Sequence, residues 1–245
     1  MNNRIMGVIP ARLSSTRLPG KVLKDIAGYP MIYWVYQNAR KNIKLDHLAV
    51  ATDSEEVSEA CHLYNIPVIR TAEHATGSDR IHEVMTRTDF DVYLSIQADE
   101  PTLTSSHIDG LIEPLINIRN IGASTLRVEI NGTVANDPNV VKVVCSTDNI
   151  ALYFSRSRIP YCRDESRSAK YYKHLGLYGY RRDTLLRFSS LPQSDLELSE
   201  SLEQLRLLEN GIQLYVALTH QDTVGVDTQE DLLRAQEWFE TAGIR

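Results

Sequence analysis

The most informative part of the chain is segment 9–21, which reads Ile9-Pro10-Ala11-Arg12-Leu13-Ser14-Ser15-Thr16-Arg17-Leu18-Pro19-Gly20-Lys21. Three cations, three hydroxyl side chains and a Pro-Gly pair fall within it. It follows the apolar run Ile5–Ile9, which predicts a buried strand, and precedes an apolar stripe of helical spacing that begins at Met31. Loops between a strand and a helix are where α/β proteins bind phosphate groups. The segment therefore predicts an anion-binding loop in an α/β fold.

Two familiar phosphate-binding motifs do not fit this loop. A P-loop requires glycine five residues before its Gly-Lys pair and Ser or Thr after it, whereas Ser15 and Val22 occupy those positions. A dinucleotide-binding turn requires three closely spaced glycines, and between Gly7 and Gly28 the chain has only Gly20. Neither a Walker-type nucleotidase nor a hydride-transfer enzyme is favoured.

The cations of the loop are Arg12, Arg17 and Lys21. A guanidinium group binds phosphate oxygens in pairs, and an ammonium group places its charge at one point. This set suits a nucleoside triphosphate, although the same composition is also typical of a solvated surface loop.

Composition limits the classes of function. The chain has 245 residues, 42% hydrophobic and 24% charged, which is typical of a globular α/β protein. Its net charge of −6 argues against a broad nucleic-acid surface and favours a small anionic ligand at the basic loop. The three widely spaced cysteines suggest neither a disulfide framework nor a CxxC metal site. Without a signal-peptide pattern or an 18-residue apolar run, we expect a cytoplasmic protein that neither binds nor spans a membrane.

Strand and helix signals alternate through the first half of the chain. Apolar runs at Leu48–Ala51, Pro67–Ile69 and Val92–Ile96 are each followed by a helical pattern, which predicts a mainly parallel sheet. From about Ile121 the pattern changes to strand-like segments with a charged stretch between them. We expect a single domain over residues 1–245 in which residues 121–185 form an embedded sugar-binding or dimerisation subregion.

A leucine pattern near the C-terminal end predicts one helix that ends at Asn210-Gly211, a plausible C-cap. Its apolar positions are Leu198, Leu202, Leu205 and Leu208.

Two carboxylates follow predicted strands. Asp99 lies in Gln97-Ala98-Asp99-Glu100-Pro101, directly after an apolar run, and Asp227 precedes a helix that Thr228 and Asp231 cap. A single Asp in such a place is more often a helix cap or turn residue. Two of them beside a cationic loop suit Mg²⁺, which takes one or two carboxylates together with phosphate oxygens. The pattern favours metal-assisted phosphoryl or nucleotidyl transfer.

With these motifs in view, the chain resembles the 3-deoxy-manno-octulosonate cytidylyltransferases, or CMP-KDO synthetases. The matching segments are Ile9–Lys21, Ala51–Asp53, Gly77–Ile81, Gln97–Pro101, Asn139–Val144, Ala151–Pro160, His174–Arg181, Ser201–Arg206 and Gly225–Asp227.

The resemblance implies a Rossmann-like fold of the nucleotide-diphospho-sugar transferase type, similar to glycosyltransferase A. It implies that CTP and a 3-deoxy-2-ketosugar acid give the CMP-sugar and pyrophosphate, with Mg²⁺, in a homodimer that serves lipopolysaccharide or capsule synthesis. The expected substrates are CTP and a 2-ketosugar acid, KDO foremost.

The same resemblance implies roles for individual residues. Lys21, Asp99 and Arg12 would be catalytic, with Asp99 also helping to deprotonate the attacking hydroxyl, and Asp99 and Asp227 would bind the metal. The nucleotide would be bound by Pro10, Ala11, Arg12, Arg17, Lys21, Ser78 and Arg80. The sugar would be bound by Gln97, Arg163, His174, Tyr178, Glu203 and Gln204.

Two departures concern the acceptor. Ala98 stands where the family motif carries glycine, and the segment between Arg163 and Lys173 is short and polar. A different acidic acceptor therefore stays open, namely amino-KDO, another ulosonic acid or a phosphonate. A non-catalytic CTP-binding relative is a further alternative, and a transferase that uses a nucleotide-sugar donor would leave the loop's cations without a role.

Overall fold

The computed structural model describes residues 3–15, 17–164 and 169–243. Thr16 of the basic loop and residues 165–168 of the polar segment lie outside this description. The chain divides into two compact units. The first comprises Met1–Asp109 and Thr223–Arg245, and the second comprises Gly110–Asp222.

Strands and α-helices alternate between Tyr29 and Ile130. The strands are β1 (Ile5–Pro10), β2 (Asp25–Ile26), β3 (Tyr29–Pro30), β4 (His47–Thr52), β5 (Val68–Arg70), β6 (Val92–Ser95), β7 (Ala123–Ile130), β8 (Lys142–Cys145), β9 (Ala151–Ser155), β10 (Tyr171–Arg181) and β11 (Leu214–Thr219). The α-helices are α1 (Met31–Ala39), α2 (Glu55–Leu63), α3 (Gly77–Arg87), α4 (Ser105–Asn117), α5 (Arg182–Ser190), α6 (Asp195–Glu200), α7 (Leu205–Glu209) and α8 (Gln229–Thr241).

The first unit is built on a parallel sheet in the order β6-β1-β4-β5, which confirms the predicted α/β fold and its parallel sheet. Strand β1 is buried from Ile5 to Ile9, as expected of a strand covered on both faces. Gly7 permits the close packing here, because a Cβ atom at this position would lie 2.7 Å from Leu48 Cδ1. Since these strands run in one direction, the loops after β1, β4 and β6 emerge at one edge of the sheet.

The C-terminal helix α8 begins as predicted. Thr228 and Asp231 form a capping box, in which Thr228 Oγ1 accepts a 3.2 Å hydrogen bond from Asp231 N. Phe239 of α8 is buried in a cluster with Leu18 of the basic loop and Met31 of α1. Burial of Leu18 therefore anchors the loop to the same core that holds the C-terminal helix.

The second unit is mainly antiparallel. Its strands pair in the order β11-β7-β10-β8-β9, and only the β11–β7 pair is parallel among its described strands. Strand β10 has a register irregularity between Leu175 and Tyr178. The Thr125 hydroxyl lies 3.1 Å from Leu175 O and 2.7 Å from Leu177 O, so it satisfies carbonyl groups at the irregularity.

The single helix predicted from the leucine spacing is wrong. Two short helices, α6 and α7, are separated by Ser201, whose φ of 52° is left-handed. Across the break, Arg206 Nε donates a 2.6 Å hydrogen bond to Glu197 Oε2, and both side chains are buried. Leu198, one of the apolar positions of the predicted helix, is 58% exposed. The predicted end is confirmed, because Asn210 caps α7 and Gly211 has a φ of 68°.

A membrane-crossing helix would need a longer apolar stretch than any helix in the described part of the chain provides.

Candidate active site

A cavity of about 480 Å³ lies in the first unit, at the edge of the sheet where β1 and β6 end. It is lined by Pro10, Arg12, Ser14, Ser15, Arg17, Lys21, Val22, His74, Ala75, Thr76, Gly77, Arg80, Gln97, Ala98, Asp99 and Asp227. The basic loop and both predicted carboxylates therefore contribute to one cavity.

The basic loop is held by its own backbone. Gly20 adopts a left-handed φ of 65°, a conformation that glycine accepts without strain, and its N–H donates a 3.3 Å hydrogen bond to Leu13 O. Lys21 N donates to Leu18 O at 3.1 Å. These bonds turn the chain between Arg12 and Lys21, so that both side chains line the cavity.

Backbone hydrogen bonds also bring the two carboxylates together. Val226 N donates to Asp99 O at 2.9 Å, which aligns the segment before α8 with the loop after β6. The Asp231 carboxylate accepts hydrogen bonds from Asp227 N at 3.1 Å and Thr228 N at 2.9 Å. Asp227 is thus positioned by the N-terminal capping structure of α8.

The charged groups form one connected network. Lys21 Nζ donates to Asp99 Oδ2 at 2.5 Å and to Asp227 Oδ1 at 2.8 Å. Arg17 Nη2 donates to the other oxygen, Asp227 Oδ2, at 2.9 Å. One ammonium group therefore lies within hydrogen-bonding distance of both carboxylates.

The carboxylates stabilise the charge of Lys21. Burial alone would lower the pKa of the half-buried Lys21, but the negative charges and hydrogen bonds of Asp99 and Asp227 outweigh it and raise the pKa. Lys21 is consequently an ammonium group throughout the physiological pH range.

The remaining nucleotide-binding candidates, in and directly after β1, differ in whether they are free to contact a ligand. Arg12 lines the cavity, is exposed and has no hydrogen-bond or ion-pair partner among the residues that the structure describes. Pro10 also lines the cavity, whereas Ala11 is fully buried and its N–H donates to Ala51 O at 2.9 Å. Arg12 is the cation best able to reach a ligand without breaking a contact.

Arg80 serves a structural role within the cavity wall. Its guanidinium is 3% exposed and pairs with Asp53 Oδ1 at 2.8 Å, with the Thr71 hydroxyl and with Ala72 O at 3.3 Å. It thereby fixes the segment that leads from β5 to α3. Ser78, the other candidate on α3, is half-buried in the first turn of the helix and is not among the cavity-lining residues.

Sequence reasoning missed one wall of the cavity. His74, Ala75, Thr76 and Gly77 line it at the N-terminal end of α3, although only the positions after Thr76 belong to a quoted motif. Thr76 caps α3 by accepting a 3.1 Å hydrogen bond from Asp79 N. That N-cap pattern was the available signal, since the first turn of a helix binds anions and its flanking residues face the same ligand.

Most of the sugar-side candidates lie in the second unit. His174 and Tyr178 are in β10, and their rings are 5.5 Å apart. Burial, and then the negative charge of Glu203, raise the pKa of Tyr178 well above its usual value, so its phenol stays protonated. The side chains of His174, Tyr178 and Glu203 therefore lie close to one another.

His174 is a neutral residue of defined tautomer. Its Nε2 lies 2.9 Å from Thr125 Oγ1, and the Thr125 hydrogen is directed at backbone carbonyls, so Nε2 is the donor and Nδ1 keeps its lone pair. Burial, together with the charge of Lys173, lowers the pKa of His174 to about 3. His174 can therefore accept a hydrogen bond at Nδ1, but it offers neither a free N–H nor a positive charge to a carboxylate.

The other candidates in the second unit differ in burial. Glu203 pairs with Arg206 at 3.5 Å, and Gln204 is 5% exposed with its Nε2 lacking a hydrogen-bond partner among the described residues. Gln204 is thus not on a solvated helix face. Arg163 is exposed and makes no hydrogen bond or ion pair with the other candidates within the described ranges.

Comparison with known proteins identifies the family of this chain. The cytidylyltransferase family model matches residues 6–215, most of the chain. The chain belongs to the cytidylyltransferase family. It is 49% identical over 234 residues to a 3-deoxy-manno-octulosonate cytidylyltransferase of Acidobacterium capsulatum, covering 95% of each chain. The predicted family, and with it the enzyme class of nucleotidyltransferase, is confirmed.

One solved structure agrees with this cytidylyltransferase assignment, and a second shares the fold. A CMP:2-keto-3-deoxy-manno-octonic acid synthetase complexed with CTP matches with a TM-score of 0.94 and 40% identity, covering 98% of this chain and 99% of that chain. A 4-diphosphocytidyl-2C-methyl-D-erythritol synthase from Anaerococcus prevotii matches with a TM-score of 0.65 at 11% identity, covering 98% and 100% of the two chains. The second likeness shows the shared fold alone.

The carboxylates of this cytidylyltransferase suit a metal that binds together with the nucleotide. No cluster of three or more His, Cys, Asp or Glu side chains able to hold a metal occurs in residues 3–15, 17–164 or 169–243. Asp99 and Asp227 nevertheless converge on one point, at present the Lys21 ammonium. Two carboxylates fit Mg²⁺, because its remaining positions are usually filled by water and substrate phosphate oxygens.

Proposed function

We propose that the protein transfers the CMP group of CTP to the anomeric hydroxyl of a 3-deoxy-2-ketosugar acid, KDO foremost, and releases pyrophosphate. The observation that carries this proposal is the charge network in the first-unit cavity, where Lys21 joins Asp99 to Asp227. The family relationship supplies the identity of the nucleotide and of the acceptor.

The cations of the cavity suit a triphosphate. Arg12 has no competing partner in the described part of the chain, whereas Arg17 and Lys21 are held by carboxylates. When a triphosphate enters, Arg17 and Lys21 exchange these carboxylates for phosphate oxygens. Lys21 then lies beside the β- and γ-phosphates and favours the departure of pyrophosphate.

The exchange also releases Asp99 and Asp227 for a second role. Freed from Lys21, the two carboxylates would hold Mg²⁺, which would screen the phosphate charge and polarise the attacked phosphorus. Asp99 in addition accepts the proton of the attacking anomeric hydroxyl. The hydroxyl oxygen forms a bond to the α-phosphorus while the bond from that phosphorus to the bridging oxygen breaks, and the displaced oxygen leaves with pyrophosphate.

The acceptor is recognised by neutral, anionic and cationic side chains. On family analogy, sugar binding is assigned to Gln97 in the first unit and to His174, Tyr178, Glu203 and Gln204 in the second unit. Arg163 supplies the bidentate partner for the substrate carboxylate. The buried Nε2 of Gln204 supports a role for Gln204 in sugar binding, because a buried amide donor without a partner is costly unless a ligand satisfies it.

The identity of the acceptor depends on Ala98. This residue is 5% exposed and lines the cavity next to Asp99. We propose KDO as the preferred acceptor, with amino-KDO, other ulosonic acids and small phosphonates as competitors in a parallel screen.

Pyrophosphate release tests the proposed function. Wild-type protein with CTP, KDO and Mg²⁺ should release pyrophosphate, and Asp99→Asn and Asp227→Asn should each lower kcat by at least about 100-fold, since both act on the transition state. Asp148→Asn, an exposed aspartate outside the cavity, is the matched control and should keep wild-type turnover. Undiminished turnover in excess chelator would contradict the metal role, and CTP binding without pyrophosphate release from any acceptor would indicate a non-catalytic relative.

We also propose, on family analogy alone, that the whole chain acts as one cytidylyltransferase domain, as a cytoplasmic homodimer, in lipopolysaccharide or capsule synthesis.

A further inference from the structure

His74 is the cavity residue whose chemistry the proposed mechanism leaves unused. It lies between β5 and α3, lines the cavity together with Gly77 and Arg80, and its side chain is 22% exposed. Gly77 in turn packs on Pro10, since a Cβ atom at Gly77 would lie 3.5 Å from Pro10 Cγ. His74 therefore belongs to a packed wall of the cavity.

Glu83 of α3 fixes the orientation of this histidine. Its carboxylate accepts a short hydrogen bond from His74 Nε2 and a 2.9 Å hydrogen bond from Ala72 N, and it pairs with Arg87. Burial alone would raise the pKa of Glu83, but the bonds from His74 and Ala72 and the charge of Arg87 lower it, so Glu83 is ionised. The ring is thus held from one side by a group that can only accept hydrogen bonds.

This arrangement determines which ring nitrogen is available to a ligand. Because an ionised carboxylate has no proton to donate, Nε2 of His74 carries the hydrogen. In a neutral imidazole the other nitrogen, Nδ1, is then a hydrogen-bond acceptor. An acceptor in a nucleotide cavity distinguishes bases by their exocyclic groups, since the amino group of cytosine donates where the corresponding oxygen of uracil only accepts.

We propose that His74 is a specificity-determining residue of this cavity, whose Nδ1 accepts a hydrogen bond from the exocyclic amino group of the base, with Glu83 as its positioning residue. The inference rests on the proposed function, because it assumes that the cavity holds the nucleotide. It adds a side-chain basis for preferring an amino-bearing pyrimidine over its oxo analogue.

Two substitutions of His74 distinguish the effect of the hydrogen-bond acceptor Nδ1 from the effect of the hydrogen bond between Nε2 and Glu83. His74→Gln places an amide N–H where Nε2 lies and keeps the bond to Glu83, but it has no group at the Nδ1 position. His74→Asn places an amide oxygen near the Nδ1 position and loses the bond to Glu83. His82→Gln, in α3 next to Glu83 but outside the cavity lining, is the control.

The measurement is the dissociation constant of CTP and of UTP by calorimetry at pH 8.5, with melting temperatures recorded alongside. We expect His74→Gln to lower the preference for CTP over UTP by about 3- to 10-fold, the value of one hydrogen bond between neutral groups. His74→Asn should retain more of the preference than His74→Gln, and His82→Gln all of it. Glu83→Ala should give a preference for CTP between those of the wild type and His74→Gln, because both tautomers of His74 then become accessible.

An unchanged preference in His74→Gln, or equal weakening of CTP and UTP, would overturn the inference. Binding is measured without acceptor, so this failure is distinct from failure of the proposed function, which would appear as absence of pyrophosphate release by the wild-type protein.

Discussion

Substitution of Lys21 by methionine should let the protein bind a divalent cation without nucleotide. In the structure the Lys21 ammonium lies 2.5 Å from Asp99 Oδ2 and 2.8 Å from Asp227 Oδ1. A metal that uses these two oxygens must first displace Lys21. Methionine keeps the apolar length of the side chain and removes the charge, so both carboxylates become available.

The size of the effect follows from the two hydrogen bonds that are lost. A hydrogen bond to a charged group contributes about 1.5–3 kcal/mol net. Asp227 is 46% exposed, so solvent weakens its share, whereas Asp99 is 27% exposed and Lys21 is 16% exposed. We expect displacement of Lys21 to cost about 2–3 kcal/mol in total, which corresponds to about 30- to 150-fold tighter metal binding in Lys21→Met.

The assay is Mn²⁺ binding by electron paramagnetic resonance, without CTP, in wild type, Lys21→Met and Lys24→Met. Lys24 lies three residues from Lys21 and does not line the cavity, so its variant should bind Mn²⁺ as weakly as wild type. Equal Mn²⁺ affinity in wild type and Lys21→Met would refute the reasoning that Lys21 occupies the place of the metal.

Two further predictions concern the second unit. Arg206→Ala should lower the free energy of unfolding by about 3–5 kcal/mol in urea titrations, because it leaves the buried Glu197 carboxylate unpaired. The control variant Arg187→Ala, which removes one exposed hydrogen bond, should lower it by at most about 1 kcal/mol. Similar losses in both variants would contradict this prediction. His174 has a folded-state pKa of about 3, so the unfolded chain takes up a proton below about pH 6.5 that the fold excludes, and stability falls with falling pH by about 1.4 kcal/mol per unit from this group. Urea unfolding between pH 7.5 and 5 should therefore show a smaller loss in His174→Gln than in wild type, and parallel losses would show that His174 does not carry the effect.

The parallel sheet and the cavity's charged residues were predictable because they depend on short-range patterns. Arg12 and Asp99 follow apolar runs, and in a parallel sheet the ends of such runs meet at one edge. Asp227 could be paired with Asp99 for the same reason, and the capping box of Thr228 is a local signal.

Other features depend on contacts between distant parts of the chain. The leucine spacing did not predict the helix break at Ser201, because side-chain contacts stabilise that break. Glu197 pairs with Arg206, and Glu200 accepts a 2.5 Å hydrogen bond from the Ser155 hydroxyl. His74 was missed because it lies outside any apolar period, and its hydrogen bond to Glu83 joins the segment before α3 to a residue within that helix. Neither kind of contact is visible in residue spacing.

The most direct test of the proposed function is the transfer of label from α-phosphorus-labelled CTP to KDO with Mg²⁺ present. We predict labelled CMP-KDO and pyrophosphate in equal amounts, both abolished in Asp99→Asn. Formation of neither product, while CTP still binds in the cavity, would contradict the claim that this charge network carries out cytidylyl transfer.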